Sequence, residues 1–193
     1  MFKQNITLEE VNLLPAGSFD GKIVVVQNSS ILDYAVEMLN KETIIGFDTE
    51  TKPCFKKGKA NRNSVALLQL ASTDCVFLFR LKYTGLPDSL KGILSNRNIL
   101  KIGLAVRDDI KALQKLSPFN PEAFLDLADV ANNYGIEERG LKKISAITLG
   151  IRISKSQRLS NWENEELSPS QQVYAATDAW ACNIIYRKLL ISQ

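Results

Sequence analysis

The segment Ile44-Ile45-Gly46-Phe47-Asp48-Thr49-Glu50 leaves a chain of this kind few options. Apolar β-formers run straight into two acids, which predicts a buried strand that ends at a charged edge. Side chains alternate faces along a strand, so Asp48 and Glu50 share one side while Ile45 and Phe47 pack on the other. Two carboxylates held side by side repel, and a sheet edge gives them little water, so the pair persists most easily with a cation between them. Oxygen donors suit magnesium, manganese or calcium better than zinc or copper. An Asp-x-Glu is also an ordinary solvated strand end, and it gains meaning only from partners elsewhere in the chain.

The 193 residues include no histidine. That removes Ser-His-Asp and Cys-His catalysis, histidine-ligated zinc and any histidine general base together. Chemistry here falls to carboxylates, tyrosine, lysine or metal-bound water. With 24 Lys and Arg against 21 Asp and Glu, the net charge of +3 permits nucleic-acid binding without demanding it. The length and the 45% hydrophobic fraction fit a single domain, 1–193, with a core of about 23–190 and an N-terminal extension 1–22. Cys54, Cys75 and Cys182 are far apart and odd in number, which fits a reducing, cytoplasmic setting better than a disulfide framework or a zinc site. Residues 1–14 lack the apolar run of a signal peptide, and no segment is long enough to span a membrane.

Taken in order, residues 22–27 read as a short strand, followed by a helix capped by Ser29 or Ser30, in which Ile31, Tyr34, Ala35, Met38 and Leu39 recur with helical period. After the Asp48 strand, residues 51–63 carry Lys52, Lys56, Lys57, Lys59 and Arg62 with Pro53 and Gly58. This basic loop reads either as a solvated hairpin connection or as a phosphate-contacting flap. Residues 65–71 and 75–79 form a hairpin, so the sheet is mixed. A short helix follows at 87–94 and another buried strand at 99–106. Residues 124–126 add a short strand, 127–133 a helix ended by Gly135, and 140–149 a helix closed by Gly150. Residues 151–166 are irregular and polar, and Ser168 and Pro169 then open the last helix.

Two further acids point inward. Arg107-Asp108-Asp109 opens a helix to about Leu116, and Asp109, Ala112, Leu113 and Leu116 share its core-facing stripe, whereas Asp108 lies on the wetter side. Either aspartate would also serve as a cap complementing the helix dipole. In the last helix, residues 173–186 are apolar nearly all round, with Asp178 in the middle and no basic residue one turn away. A lone buried carboxylate is costly unless paired, protonated or metal-bound. Tyr174 stands four residues earlier on the same face, so a Tyr-Asp hydrogen bond inside the core is the alternative.

Asp48, Glu50, Asp109, Tyr174 and Asp178 together resemble the DEDD superfamily of 3′–5′ exonucleases, in the branch whose last motif is Tyr-x-x-x-Asp. The matching segments are Phe-Asp-Thr-Glu at 47–50, Gly-Leu-Ala-Val-Arg-Asp-Asp-Ile-Lys-Ala-Leu at 103–113 and Tyr-Ala-Ala-Thr-Asp-Ala at 174–179. Leu159-Ser160-Asn161-Trp162 is similar to the Werner-type exonuclease domain and to ribonuclease D relatives. Two departures touch substrate grip rather than the acids. Thr51 stands where many relatives carry a large apolar residue, and the helical nucleic-acid-binding domains of ribonuclease D have no counterpart in these residues.

The resemblance implies an α/β, ribonuclease H-like fold, a mixed sheet of roughly five strands flanked by helices, with two Mg2+ or Mn2+ ions. It implies Asp48 as the bridging ligand, Glu50 and Asp178 completing the nucleophile-side metal, and Asp109 serving the second, through water. Tyr174, with an ordinary pKa of about 10, is then a group that orients the attacking water rather than a base. The partner is a nucleic acid with a free 3′ end, DNA before RNA because the likeness is to the Werner-type domain; a ribonuclease or a silent binding module are the alternatives. Lys155 and Arg158 are candidate phosphate contacts. Trp162 either stacks on a base or anchors its segment to the core, and Asp126 and Asp129 read as caps or as groups supporting the ligands.

Overall fold

The computed structural model describes residues 1–51 and 64–192. The basic loop residues Lys52, Lys56, Lys57, Lys59 and Arg62, and Cys54, lie outside the described residues. In chain order the elements are α1 (Leu8–Leu13), β1 (Lys22–Val26), α2 (Ser29–Leu39), β2 (Ile44–Thr51), β3 (Val65–Ala71), β4 (Cys75–Arg80), α3 (Leu81–Thr84), α4 (Asp88–Leu94), β5 (Leu100–Gly103), α5 (Val106–Leu116), β6 (Phe124–Asp126), α6 (Leu127–Asn132), α7 (Leu141–Leu149) and α8 (Pro169–Leu190).

The strands form one sheet in the order β1-β4-β3-β2-β5-β6. β2, β3 and β4 form an antiparallel meander, while β1 joins β4, β5 joins β2 and β6 joins β5 in parallel. The sheet is therefore mixed, as the hairpin at 65–79 requires, but it has six strands rather than about five. The sixth is the short strand read at 124–126, three residues long and resting on three register pairs with β5; the count of about five comes from the family resemblance. The strand expected over 99–106 is also shorter: the chain leaves it after Gly103, passes Ala105 with φ 55, and enters α5 at Val106.

Alternation along β2 decides which layer each residue joins. Ile45 and Phe47 are fully buried with Leu68, Leu70, Phe77 and Phe79 beneath α2, α4 and α5. Each such side chain contributes about 1.5–3 kcal/mol through burial. The opposite face carries Leu67, Ala71, Val76 and Leu78 under the alanines Ala175, Ala176 and Ala179 of α8, and continues through Ile102 to α6 and α7.

The caps show how closely local chemistry sets the helix ends. Ser168 and Gln171 form a reciprocal capping box with Pro169 in the first turn of α8, and Gly150 closes α7 in the left-handed region at φ 69. α2 is capped by Asn28, whose side chain accepts from Ile31 N, not by Ser29 or Ser30. Among the described residues no helix is long and apolar enough to cross a membrane.

The N-terminal residues pack on the same side as α7 and α8. Val11 and Ile6 bury against Ala146, Glu137 N donates to Gln4 O at 2.9 Å, and Phe19 N donates to Thr177 Oγ1 at 3.0 Å. Ala16 pairs with Arg152 as a parallel bridge, which ties this segment to the chain just ahead of Lys155.

Candidate active site

Small residues bring the acids together. Gly46 faces α8, and a Cβ placed on it would lie 1.8 Å from the Ala179 carbonyl oxygen. The helix backbone thus rests almost on the strand, one residue beyond Asp178. Asn183 and Arg187 fasten the same helix: Asn183 Nδ2 donates to Ala71 O at 2.9 Å, and Arg187 Nε donates to Asn183 Oδ1 at 2.7 Å. The outcome is that one carboxylate oxygen from each of Asp48, Glu50 and Asp178 lies within 4.8 Å of the others.

Asp109 does not join this trio. It sits in the first turn of α5, half-buried, and its Oδ1 accepts from Thr49 Oγ1 at 2.6 Å, so it approaches the strand end from the face opposite Asp48. Its charge still reaches Asp48 and Glu50. Tyr174 is 6% exposed; it packs against Trp162 with ring centroids 5.9 Å apart, and its hydroxyl and the Asp178 carboxyl influence each other electrostatically.

The electrostatics express this crowding. Burial, reinforced by Asp178, Glu50 and Asp109, pushes the Asp48 carboxyl well above the usual range. Glu50 is pushed up to about 8, first by burial and then by Asp178, and Asp109 to about 6, by burial that outweighs the Thr49 hydrogen bond. Burial followed by the Asp178 and Glu50 charges raises Tyr174, which makes it a donor and not a base near neutral pH. Asp178 is raised by burial against the pull of Lys155 and Tyr174.

Lys155 is the largest departure from expectation at the site. Although no basic residue lies one turn from Asp178, Lys155 arrives from 23 positions away, and its ammonium donates to both carboxylate oxygens at 2.9 and 3.2 Å. It also stands over the Tyr174 ring at 5.6 Å. Arg158 is exposed, and its charge reaches Glu50. Trp162 is 1% exposed, which corrects the base-stacking alternative: the indole anchors its irregular segment to the core. Asp126 caps α6 through Ala128 N, and Asp129 pairs with Arg139 at 2.9 Å on the surface. A cavity of about 370 Å³ opens beside Tyr174, bounded by Gly17, Ser18, Ser154, Ser156 and Thr177.

One polar residue at the site escapes a reading for apolar periodicity. Gln69 stands in the register position opposite Asp48 and is fully buried in a strand that otherwise reads Val-Ala-Leu-Leu-x-Leu-Ala. Its signal is an uncharged polar residue inside an all-buried strand paired to the one that carries the acids.

The donor set fits a hard dication. Three carboxylates converge with their proton affinities raised by burial, and for Asp48 and Glu50 by repulsion from their neighbours as well, and such a set is relieved by a divalent ion with oxygen preference. Residues 23–191 match the model of a family described as 3′-5′ exonuclease. The chain is 34% identical over 184 residues to the bifunctional 3′-5′ exonuclease/ATP-dependent helicase WRN of Mus musculus, covering 91% of this chain but 13% of that protein. The fold is similar to the Nibbler EXO domain of Aedes aegypti, with TM-score 0.81, 27% identity, and 90% and 91% of the two chains covered. It is also similar to Escherichia coli RNase D, with TM-score 0.77, 22% identity, and 88% and 44% covered, a likeness of fold. Since the family match spans nearly the whole chain, this protein belongs to the 3′-5′ exonuclease family.

Proposed function

We propose that the chain is a divalent-metal-dependent 3′–5′ exonuclease that hydrolyses the terminal phosphodiester of a nucleic acid and releases nucleoside 5′-monophosphates. The observation that carries this reading is the convergence of Asp48, Glu50 and Asp178 beside the Tyr174 hydroxyl. Asp48, Glu50 and Asp178 would hold one ion, Mg2+ or Mn2+, and Asp48 with Asp109, the latter through water, would serve the second. Bound dications would neutralise the phosphodiester and supply a nucleophile at neutral pH. The protein's own groups do the rest. Tyr174 keeps its proton and orients the attacking water through its hydroxyl, while Thr49 fixes the Asp109 carboxylate. Lys155 and Arg158, on the irregular segment that walls the acids, hold the phosphates that flank the scissile bond.

We place DNA first among substrates, on the sequence likeness to the exonuclease/helicase. The RNA reading rests on the fold shared with Escherichia coli RNase D, an exoribonuclease involved in structured RNA processing. Digestion of matched 3′-labelled DNA and RNA, single-stranded and recessed, in Mg2+, Mn2+ or EDTA tests both. Metal-dependent release of mononucleotides from DNA ahead of RNA is the expected result, abolished in Asp48→Ala together with metal binding. An Asp48→Ala chain with unimpaired activity refutes the site, and faster digestion of RNA refutes the order of substrates.

A further inference from the structure

β3 is buried at all seven positions, and six of them are apolar; the seventh is Gln69. Its Nε2 and Oε1 have no hydrogen-bond partner among the described residues, although the side chain is 0% exposed. A buried carboxamide left wholly unpaired is unfavourable, and both atoms would be expected to find partners if the residue served only the fold.

Its neighbours say what it is placed for. Gln69 is paired with Asp48 across β2 and β3, flanked by the pairs Gly46–Ala71 and Glu50–Leu67 on the same face. Directly opposed residues on one face have Cβ atoms about 4.5–5.5 Å apart, within reach of a carboxamide. On its other side the register partner is Leu78, and the alanines of α8 cover the same layer, so Asp48 is the polar neighbour that the pairing provides. A ligand carboxylate has two oxygens and a rotatable plane, and a donor fixed behind it selects one orientation. Groups that play this part at metal sites change affinity or activity when they are lost.

We infer that Gln69 is a positioning residue of the active site, its unpaired carboxamide set beside Asp48 to hold that carboxylate in the orientation that receives a dication once the ion is bound. The inference rests on the metal-dependent reading proposed above and adds a residue to it. It also accounts for an otherwise unfavourable polar group in the centre of the sheet: local rules of core packing are broken beside a functional site.

The test is Gln69→Met in the full chain, an apolar replacement of similar length, with Gln69→Leu as a second variant and Asp48→Asn as the reference for the site. Three quantities are read: Tm in EDTA, Mn2+ affinity by calorimetry, and kcat and KM with Mn2+. Removal of the unpaired carboxamide leaves Tm in EDTA unchanged or raised. Mn2+ affinity falls about 10-fold or more, and kcat falls at least as far with KM nearly constant. A purely structural glutamine gives the reverse pattern, a lowered Tm with Mn2+ affinity and kcat intact, and overturns the inference. A large loss of Tm in EDTA in both variants also overturns it, because the carboxamide would then be satisfied within the metal-free fold. If Asp48→Asn abolishes Mn2+ binding and turnover while both Gln69 variants match wild type, the inference alone fails. If Asp48→Asn leaves both intact, the metal-dependent reading fails with it.

Discussion

Gly46→Ala isolates the contact that assembles the site. The added Cβ would stand 1.8 Å from the carbonyl oxygen of Ala179, 2.7 Å from its carbon and 3.3 Å from the Asn183 Cβ. The obstacle is helix backbone, which has no rotamer to yield, so α8 must retreat roughly 1.5 Å to restore ordinary contact. Overpacking of this kind costs about 1–3 kcal/mol or more, and in a chain of this size 3 kcal/mol corresponds to a Tm lower by about 6–12 °C. The retreat carries Asp178 and Tyr174 away from Asp48 and Glu50. A misplacement on the order of 1 Å lowers turnover about 100-fold, and metal affinity falls with it because the oxygens no longer converge within 4.8 Å. Differential scanning calorimetry in EDTA, Mn2+ titration and exonuclease rates measure the three effects on one preparation. The control is Gly92→Ala on the exposed side of α4, where a Cβ meets nothing within 4 Å and the helix gains up to about 1 kcal/mol. If Gly46→Ala keeps wild-type Tm and Mn2+ affinity, close seating of α8 is not what brings the acids together.

Other perturbations follow from the same geometry. Without a divalent ion, stability should fall as pH rises from about 4.5 to about 8, because Glu50 binds its proton more tightly in the fold than in the unfolded chain and that advantage is lost on ionisation; Mn2+ should offset the loss, and a flat Tm profile over that window in EDTA would contradict it. Tyr174→Phe removes the hydroxyl that interacts with Asp178, and turnover should drop about 100-fold with metal affinity nearly unchanged, as rate and calorimetry together reveal. Arg158→Ala should raise KM, leave kcat almost unaltered and reduce the salt slope of binding by about 1; an unchanged slope would remove Arg158 from the phosphate contacts.

Periodicity and capping made the scaffold readable. Alternation along 44–50 placed Asp48 and Glu50 on one face, the apolar helix around Asp178 buried it, and Ser168 with Pro169 marked where that helix starts. What stayed hidden depends on contacts distant in sequence. The Lys155–Asp178 pair spans 23 residues across an irregular segment, and no pattern of period 2 or 3.6 encodes it. The burial of Trp162 depends on where that segment folds back, not on its own neighbours. Asp109 showed its inward phase in sequence, but the Thr49 hydroxyl that holds it on its own side of the strand is 60 residues away. Gln69 carries no sequence signal beyond being polar in an apolar run, because its significance lies in the strand beside it.

Where the irregular segment that carries Lys155, Arg158 and Trp162 has no regular ladder, side chains satisfy several of its carbonyls. Arg80, 1% exposed at the end of β4, donates Nη1 to Glu165 O at 2.6 Å and Nη2 to Asn164 O, with its guanidinium over the Tyr83 ring at 5.1 Å. Lys82 Nζ donates to Glu163 O at 2.8 Å and to Asn164 O at 2.9 Å. These two cations are committed to the fold, so part of the positive charge is no footprint for nucleic acid. Arg80→Met separates that role from the one proposed for Arg158. It removes the donors to the 164 and 165 carbonyls, which water can partly replace at these exposed residues, at a cost of about 1–3 kcal/mol. The loosened segment relaxes the Trp162–Tyr174 packing and lowers kcat, while the salt slope of substrate binding stays at the wild-type value, since no phosphate contact has gone. A reduced salt slope in Arg80→Met, measured beside Arg158→Ala, would show that Arg80 faces the nucleic acid and that the carbonyls are held by something else.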